Sequence, residues 1–564
     1  MTRDRPSLAA AIGIGAGALL AAAAFPLLTG ARGVWLGPLF LSLREPWRPV
    51  TAAALLLMLR VAWTWRTRQR EQLAAGGGPV EGAVALLFSF GVASALLVWA
   101  HLHVRFCGGL DSYGYVSAAQ ALTSGGPVVP QPLVEWLPFA RAIDAVTPLG
   151  WTAAPSGTAI VPGYPLGFPI VMAAAILAGG LGAAFYVPLL AGVGTVVLTY
   201  TLVRRVAPPW AAAAAATVVA WNPVLTNMAV QPMSDAPAAF WYLLALTLAA
   251  GERSRPLPAG LAFAMGVWTR PLVFALAPAL LFLLPRRKGA FLRFAVGAVP
   301  VFLAMAGMQW WLYGSPFRTG YGGTAGLFTT KNIARHLGAV AWWTASVHGP
   351  VLIAAFGFGL VRAPRRLAIA AAAGLAAGVV PYLFNMQFFD DWDLIRYLLP
   401  GLVPCVIVAV LGAVALSQAL LPGRAAVMGV VAFAAAVSVA SFTLLSRQPT
   451  WTLVRQESRY AAVAAWIAGH SPPQALVFAD LHSGSLRLHA DRPTLRWVRM
   501  PAGALGATVT EAHRRGLSVY AVFDDEAERR SWVEQVRLAG ERVHAEPEAQ
   551  VRGVLISRVS IGPP

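Results

Sequence analysis

The sequence is poor in charge, in cysteine and in lysine, and each shortage limits what the protein can be or what its residues indicate. Only 12% of the 564 residues are charged, well below the share of soluble globular proteins, whereas 57% are hydrophobic and the mean hydropathy is +0.63. The two cysteines, Cys107 and Cys405, are separated by many apolar stretches, so they offer neither a disulfide framework nor metal-site spacing. Lysine occurs only at Lys288 and Lys331, so a single arginine is weak evidence of function.

Long apolar runs take the place of the missing charge. Many approach the ~20 residues needed to cross a bilayer, so the sequence predicts a polytopic α-helical membrane protein with about 13 spans. The net charge of +19 would suggest nucleic acid in a soluble protein, but basic residues at cytoplasmic helix ends explain it, and no nucleic-acid partner is expected. The spans are expected at about 8–29, 51–65, 82–102, 166–203 (two stretches), 210–228, 236–250, 258–269, 271–285, 290–312, 344–361, 367–384, 398–418 and 425–445.

Clusters of basic residues set the expected orientation in the membrane. They belong on the cytoplasmic side, and counting crossings between them puts the 103–165 loop and the chain after residue 446 on the opposite side. The clusters are Arg66 with Arg68 and Arg70, Arg204 with Arg205, Arg253 with Arg255, Arg286 with Arg287 and Lys288, and Arg362 with Arg365 and Arg366.

The region 166–203 does not fit this count. The charge rule requires an odd number of crossings before Arg204, yet the region holds two apolar stretches. Either one stretch lies in the membrane interface or the Arg204–Arg205 pair breaks the rule. We favour the first alternative, because the run is interrupted by Gly179, Gly180 and Gly182.

The tail from Ser446 to Pro564 predicts a small α/β domain. Helical patterns over Glu457–Gly469 and Glu526–Ala539 alternate with strand patterns, which implies a partly parallel sheet. We therefore expect a membrane module over 1–445, including the 103–165 loop, and a soluble extracytoplasmic domain over 446–564. The strands are expected at Ala475–Ala479, Leu517–Phe523 and Gly553–Val559.

Unusual polar residues gather on the expected outer side. Asp111 follows an apolar stretch, and a carboxylate is costly near lipid unless it has a function. Asp235 opens a helix, either as its N-cap or as part of a site. Arg270 either snorkels to the headgroups or binds a ligand. The other candidates are Tyr115, Tyr164, Asp390, Asp391, Asp393, Arg396 and Tyr397.

Together these motifs resemble the GT-C class of integral-membrane glycosyltransferases. The most similar groups by motif are the protein O-mannosyltransferases and the lipid A aminoarabinose transferases, which take a sugar from a polyprenyl phosphate. The likeness extends from residue 82 to residue 400, with the soluble tail similar to the external domain of many bacterial members. It is carried by Asp111 with Tyr115, Pro162-Gly-Tyr-Pro165, Asp235, Arg270-Pro271, and Arg396-Tyr397 before Pro400.

The chain departs from the family pattern in two places. Asp111 is followed by Ser112, where many members have two adjacent acidic residues. Pro162 and Pro165 are separated, where members often have adjacent prolines. These departures leave the subfamily open, and with it the sugar and the acceptor.

The resemblance implies an enzyme of the bacterial inner membrane with an extracytoplasmic active site. Its partners would be a lipid-linked sugar donor, membrane lipid, and an acceptor glycan, lipid or protein. Asp111 would be the general base of an inverting transfer. Arg396 would be the leading phosphate ligand and Arg270 a second one, because the guanidinium fork suits phosphate oxygens. The residues expected to bind donor or acceptor groups are Tyr115, Tyr164, Asp235, Asp390, Asp391, Asp393 and Tyr397.

Three other interpretations remain open. The Asp390, Asp391 and Asp393 cluster offers hard oxygen ligands for a divalent metal, as in transferases that use nucleotide sugars. Nucleotide sugars are cytoplasmic, however, and the expected orientation puts this cluster on the outer side, so we expect no cofactor. A transporter or lipid flippase would usually show internal repeats and ionisable residues near mid-membrane, and neither is seen here. A membrane scaffold or sensor would leave the Asp111 and Arg396 regions unexplained.

Overall fold

The computed structural model describes most of the chain after its N-terminal region. The expected spans at 8–29 and 51–65 lie outside the described residues. The first described elements are two short antiparallel strands, Gly33–Leu36 and Leu39–Ser42, with Gly33 opposite Ser42. The described residues are 33–36, 39–42, 79–251, 254–287, 289–322, 326, 328–387 and 391–562.

The chain forms two compact units, each assembled from segments that are distant in sequence. The first unit contains the described residues up to His103 together with Ala175–Phe302 and Gly326–Trp451. The second unit contains Val104–Ala174, Leu303–Ala325 and the described residues from Thr452 onwards. The 103–165 loop therefore clusters with the tail.

Helices long and apolar enough to cross a membrane dominate the chain. Seven such helices occur among the described residues, and shorter apolar helices accompany them. The chain is a multi-pass membrane protein, as its composition predicts. The seven are Gly82–Leu102, Leu181–Val203, Ala290–Tyr313, Ile333–Arg362, Arg365–Leu383, Leu394–Leu420 and Arg424–Arg447; the shorter ones are Gly167–Gly179, Pro209–Ala220, Asp235–Ala249 and Pro271–Leu283.

Smaller elements connect these helices. The helix before the 103–165 loop extends over Pro79–Leu102, so it begins before the apolar part given above. Three of the apolar stretches given above are each made of two successive elements: Leu181–Ala184 with Tyr186–Val203, the 3₁₀ turn Pro271–Leu276 with Ala277–Leu283, and the 3₁₀ turn Trp392–Leu398 with Leu399–Leu420. Further helices occur at Pro223–Ala229 and Pro256–Thr269, and a 3₁₀ turn at Pro449–Thr452.

The helix Leu399–Leu420 lies at the centre of the first unit. It packs against the helices that begin at Asp235, Ile333 and Arg365, and most of its side chains are buried. Close approach to Ile333–Arg362 depends on small residues, since a Cβ on Gly412 would lie 2.1 Å from the carbonyl oxygen of Ala355. Such small-residue contacts are typical of helices packed in membranes.

Two expected spans are interrupted for local reasons. The stretch 210–228 divides into Pro209–Ala220 and Pro223–Ala229, because Pro223 lacks the amide hydrogen and the Asn222 side chain caps the second helix by accepting from the Leu225 amide at 3.0 Å. The region 166–203 breaks at Gly180, whose φ of 73° favours glycine, as the glycine pattern predicts.

The tail forms the α/β domain that the sequence predicts. Its five-stranded sheet has the order Thr494–Leu495, Leu476–Ala479, Val519–Phe523, Val554–Ile561, Val543–Val551. The first three strands are parallel and the last two are antiparallel, so the sheet is partly parallel. The helices are Leu453–His470, Ser483–Ala490, Ala504–Arg514 and Glu526–Leu538, with a 3₁₀ turn at Trp497–Arg499.

The 103–165 loop is folded and contributes to the core of the tail. Leu137, Ala142 and Val146 are buried in the same apolar cluster as Phe478 and Phe523 of the tail sheet. The loop contains the helices Asp111–Thr123 and Ala142–Val146, a 3₁₀ turn at Pro132–Glu135, and an antiparallel sheet of Val129–Pro130, Ala159–Pro162 and Trp151–Ala153.

Candidate functional site

Asp111 is the first residue of a helix in the second unit. The helix spans Asp111–Thr123 and follows a Gly108-Gly109 turn in which Gly109 has a φ of 60°. A carboxylate in the first turn is stabilised by the exposed amides and the dipole of the helix. The Asp111 side chain is half-buried, and its Oδ1 accepts a hydrogen bond of 2.5 Å from the Tyr164 hydroxyl.

The Tyr164 hydroxyl remains a donor because its ionisation is strongly opposed. Burial raises the pKa of Tyr164, and the negative charge and hydrogen bond of Asp111 raise it further. The phenol therefore stays protonated across the physiological range. A carboxylate accepts several hydrogen bonds, so this bond orients Asp111 without exhausting its capacity as an acceptor.

Aromatic rings hold Tyr164 in place. The centre of the Tyr115 ring lies 4.7 Å from the centre of the Tyr164 ring and 5.2 Å from the centre of the Phe168 ring. The Tyr321 ring contacts Tyr164 edge-on at 5.8 Å. Tyr115 is only 5% exposed, so in this structure it supports Tyr164. Sequence reasoning missed Tyr321, since its glycine-rich surroundings carry no pattern that would have identified it.

Three glycines allow the Asp111 helix to approach Tyr164. A Cβ on Gly114 would lie 2.6 Å from the Tyr164 ring. Gly150, with a φ of 80°, packs its backbone against Gly114, and the Gly163 amide donates to the Gly150 carbonyl at 2.9 Å. The geometry at Asp111 thus depends on the absence of side chains at these positions.

The first unit contains a second polar cluster, centred on Arg270. Its Nη1 forms an ion pair with Oδ1 of Asp235. The Asp235 side chain is 1% exposed and that of Arg270 is 16% exposed, so the pair is largely buried. Ser234, rather than Asp235, is the N-cap of the helix Asp235–Ala249, and the N-cap interpretation of Asp235 was therefore wrong.

Tyr397 links the two arginines expected to bind phosphate. The guanidinium carbons of Arg270 and Arg396 each lie 4.8 Å from the centre of the Tyr397 ring. Nη2 of Arg396 also donates to the Tyr397 hydroxyl at 3.0 Å. Tyr382, which sequence reasoning missed, stacks on Tyr397 with ring centres 5.1 Å apart.

This arrangement borders a small depression within the first unit. Arg270, Tyr382 and Tyr397 line it together with apolar residues of the neighbouring helices. Arg270 and the Tyr397 phenol border this depression, and Arg396 donates to the same phenol. Such a group can bind an anion, because guanidinium forks hold phosphate oxygens bidentately.

The acidic segment before Arg396 is only partly described. Asp390 lies outside the described residues, as does the side chain of Asp393. Asp391 is exposed and precedes the 3₁₀ turn Trp392–Leu398. Over the described part of the chain, no group of three or more His, Cys, Asp or Glu side chains could hold a metal ion.

Comparisons with known proteins place the fold. No protein-family model matches the chain, and no curated protein matches it either. Among solved structures, ArnT from Cupriavidus metallidurans bound to undecaprenyl phosphate has 14% identity and a TM-score of 0.52, over 83% of this chain and 97% of that chain. The apo form of the same ArnT gives a TM-score of 0.51 at the same identity and coverage.

A third structure is the apo oligosaccharyltransferase from Archaeoglobus fulgidus, with 14% identity, a TM-score of 0.49, and 84% of this chain and 74% of that chain covered. The ArnT match confirms the expected fold, a GT-C-like polytopic helical protein with a small C-terminal α/β domain. At this identity the likeness is one of fold.

Proposed function

We propose that the protein is a glycosyltransferase that moves a sugar from a polyprenyl-phosphate carrier to an acceptor hydroxyl outside the cytoplasm. The observation that carries this proposal is the Asp111 carboxylate, oriented by the Tyr164 hydroxyl in a chain with the fold of ArnT. The ArnT structure with undecaprenyl phosphate supports a polyprenyl carrier as the donor lipid. The charge pattern supports the outer side of a bacterial inner membrane for Asp111 and for the domain 446–564.

In the proposed reaction, Asp111 acts as the general base. It takes the proton of the acceptor hydroxyl while the acceptor oxygen bonds to the anomeric carbon and the bond from that carbon to the phosphate oxygen breaks. Polyprenyl phosphate leaves as an anion and needs little general-acid help. A positioned base contributes about 10²–10⁴-fold to such a step. Direct displacement inverts the configuration at the anomeric carbon.

Arg270 and Arg396 are the proposed ligands of the donor phosphate, with Tyr397 between them. Fixed cations stabilise the negative charge that grows on the leaving phosphate. Asp235 holds Arg270 in position through its ion pair. Tyr115 and Tyr164 are proposed to support or contact the sugar from the Asp111 side, and Asp391 and Asp393 remain candidates for sugar hydrogen bonding. The acceptor and the sugar stay open.

The transporter or flippase alternative makes a different prediction for Asp111. A transporter would translocate its lipid without making or breaking a glycosidic bond, so a base would not be required. The match over 97% of the ArnT chain favours the enzyme.

The experiment separates chemistry from binding. Purified protein is assayed with a panel of radiolabelled polyprenyl-phosphate sugars, and binding of undecaprenyl phosphate is measured by native mass spectrometry. Asp111→Asn should lower transfer by about 10²-fold or more while lipid binding persists. Arg396→Ala should weaken lipid binding, and Arg396→Lys should restore it only in part.

Arg424→Ala is the matched control, because Arg424 is exposed at the start of the helix Arg424–Arg447. It should bind undecaprenyl phosphate like the parent protein. Undiminished transfer by Asp111→Asn would rule out the base assignment. Equal lipid affinity in Arg396→Ala and in the control would show that Arg396 does not bind the phosphate.

A further inference from the structure

The C-terminal domain contacts the Asp111 segment on both sides of the aspartate. A Cβ on Gly108 would lie 2.1 Å from Cγ of Tyr460, so the tyrosine ring covers the bare backbone of Gly108. A Cβ on Gly484 would lie 2.2 Å from Cδ1 of Tyr113, so this ring lies directly on the tail helix Ser483–Ala490. Asp111 stands between these two points of contact.

A third contact joins the same elements. Nε2 of His489 lies 3.1 Å from the carbonyl oxygen of Cys107 and 4.0 Å from its sulfur. Cys107 is fully buried, and burial raises the pKa of its thiol. Contact with the tail therefore extends along the segment from Cys107 to Tyr113, and it excludes solvent from the thiol.

The tail helix is also anchored to the 103–165 loop by the half-buried side chain of Arg487. The Arg487 guanidinium donates to Oε1 of Gln131 at 2.8 Å and to the Val146 carbonyl at 2.6 Å. It also donates to the hydroxyl and the carbonyl of Thr494, at 2.7 and 2.9 Å. A guanidinium held by several hydrogen bonds has one favourable position, because moving it would leave donors unsatisfied.

We propose that the C-terminal domain positions the catalytic aspartate, with Tyr460 and Gly484 as positioning residues that fix the start of the helix Asp111–Thr123. The domain thereby becomes a structural part of the active site. The proposal depends on the proposed function only for the statement that Asp111 is the base, since the contacts themselves are independent of it.

The test inserts a methyl group at each contact. Gly484→Ala and Gly108→Ala should push the Tyr113 and Tyr460 rings away, because the new Cβ would lie far inside the 3.0 Å limit of real Cβ contacts. Gly469→Ala is the matched control, since it adds the same methyl group to the tail helix Leu453–His470 at a position where no atom lies within 4 Å.

The native Cys107 thiol reports the separation without requiring any activity. Full-length protein is treated with N-ethylmaleimide, and modification of each cysteine is followed by peptide mass spectrometry. Cys107 should react about tenfold faster in both variants than in the control, because local opening exposes it. Cys405, buried in the helix Leu399–Leu420, should stay unreactive and so excludes global unfolding.

Two further readouts test positioning. Amide hydrogen exchange over residues 111–123 should be faster in both variants and unchanged in the control. In the transfer assay, kcat should fall by up to about 10²-fold with little change in donor KM, because a displacement of about 1 Å in a reacting group costs that much. Gly484→Ala should lower kcat no further when it is combined with Tyr113→Ala, because no ring then occupies the space of the added methyl group.

The outcomes separate this proposal from the proposed function. Cys107 modification and amide exchange that match the Gly469→Ala control would overturn the positioning proposal, and so would faster modification with unchanged kcat. If the parent protein transfers no sugar, the proposed function fails, and the modification and exchange rates alone decide whether the tail fixes the Asp111 helix.

Discussion

Gly114→Ala is the sharpest perturbation that the structure offers near Asp111. The added Cβ would lie 2.6 Å from two carbons of the Tyr164 ring and 3.1 Å from the Cα of Gly150, whereas ordinary contacts begin at 3.4 Å. Gly150 is backbone and cannot rotate away, so the Tyr164 ring must move by about 1 Å. Such a shift would move the Tyr164 hydroxyl, now 2.5 Å from the Asp111 carboxylate, beyond hydrogen-bonding distance.

The expected change in folding free energy combines two costs and one gain. Overpacking costs about 1–3 kcal/mol and the loss of a hydrogen bond to a charged group about 1.5–3 kcal/mol. Alanine in place of glycine in a helix returns about 1 kcal/mol. We therefore expect the variant to lose about 1.5–5 kcal/mol in folding free energy. The misplaced carboxylate should also lower kcat by about 10²-fold.

The assay compares four proteins: the parent, Gly114→Ala, Tyr164→Phe and the double variant. If Gly114→Ala acts by moving the Tyr164 hydroxyl, its effect on kcat should not add to that of Tyr164→Phe. The kcat of the double variant should then be close to that of the less active single variant. Fully multiplicative effects would refute this reasoning, because they would show that the two residues act on the reaction independently. Unchanged kcat in Gly114→Ala would refute it as well.

Two other predictions concern stability. Asp235→Asn should lower the thermal midpoint of unfolding, measured by tryptophan fluorescence, because the loss of one partner of a buried ion pair costs about 3–5 kcal/mol. The double variant Asp235→Leu with Arg270→Met should recover part of that stability. A single variant as stable as the double variant would contradict this prediction. Burial raises the pKa of Glu457 from 4.5 to about 7. The contribution of Glu457 to the free energy of unfolding is therefore fully present below pH 4.5 and is lost as pH rises through about 7. This loss amounts to up to about 3 kcal/mol. Glu457→Gln should flatten this decline between pH 5 and 8, and a parallel decline in the variant would show that Glu457 is not responsible.

The helices and the tail could be predicted because their signals are local. The apolar runs beginning near Gly82, Ala290 and Leu399 each follow from about 20 residues of composition. The strand patterns at Ala475–Ala479 and Leu517–Phe523 correspond to the observed Leu476–Ala479 and Val519–Phe523. The long edge strand Val543–Val551 was not predicted, because its exposed residues include Glu546, Pro547 and Glu548 and thus lack the usual strand composition.

The site was predictable only as single residues. An aspartate beside an apolar stretch attracts notice because a charge there is costly, and this reasoning identified Asp111. Its hydrogen-bond donor Tyr164 lies 53 positions away, and although both residues were candidates, no sequence pattern paired them. Tyr321 and Tyr382 were not named, because no sequence period relates a ring to its stacking partner.

The amino-acid sequence by itself determined that this chain enters a membrane many times and ends in an α/β domain, because hydropathy and periodicity act over neighbouring residues. Tertiary structure alone decided that the 103–165 loop shares a core with the tail, that Arg270 pairs with Asp235, and that Tyr460 and Gly484 contact the chain on either side of Asp111. These contacts join residues separated by tens to hundreds of positions, and they depend on shape: a glycine accepts a ring only where the chain brings the two together.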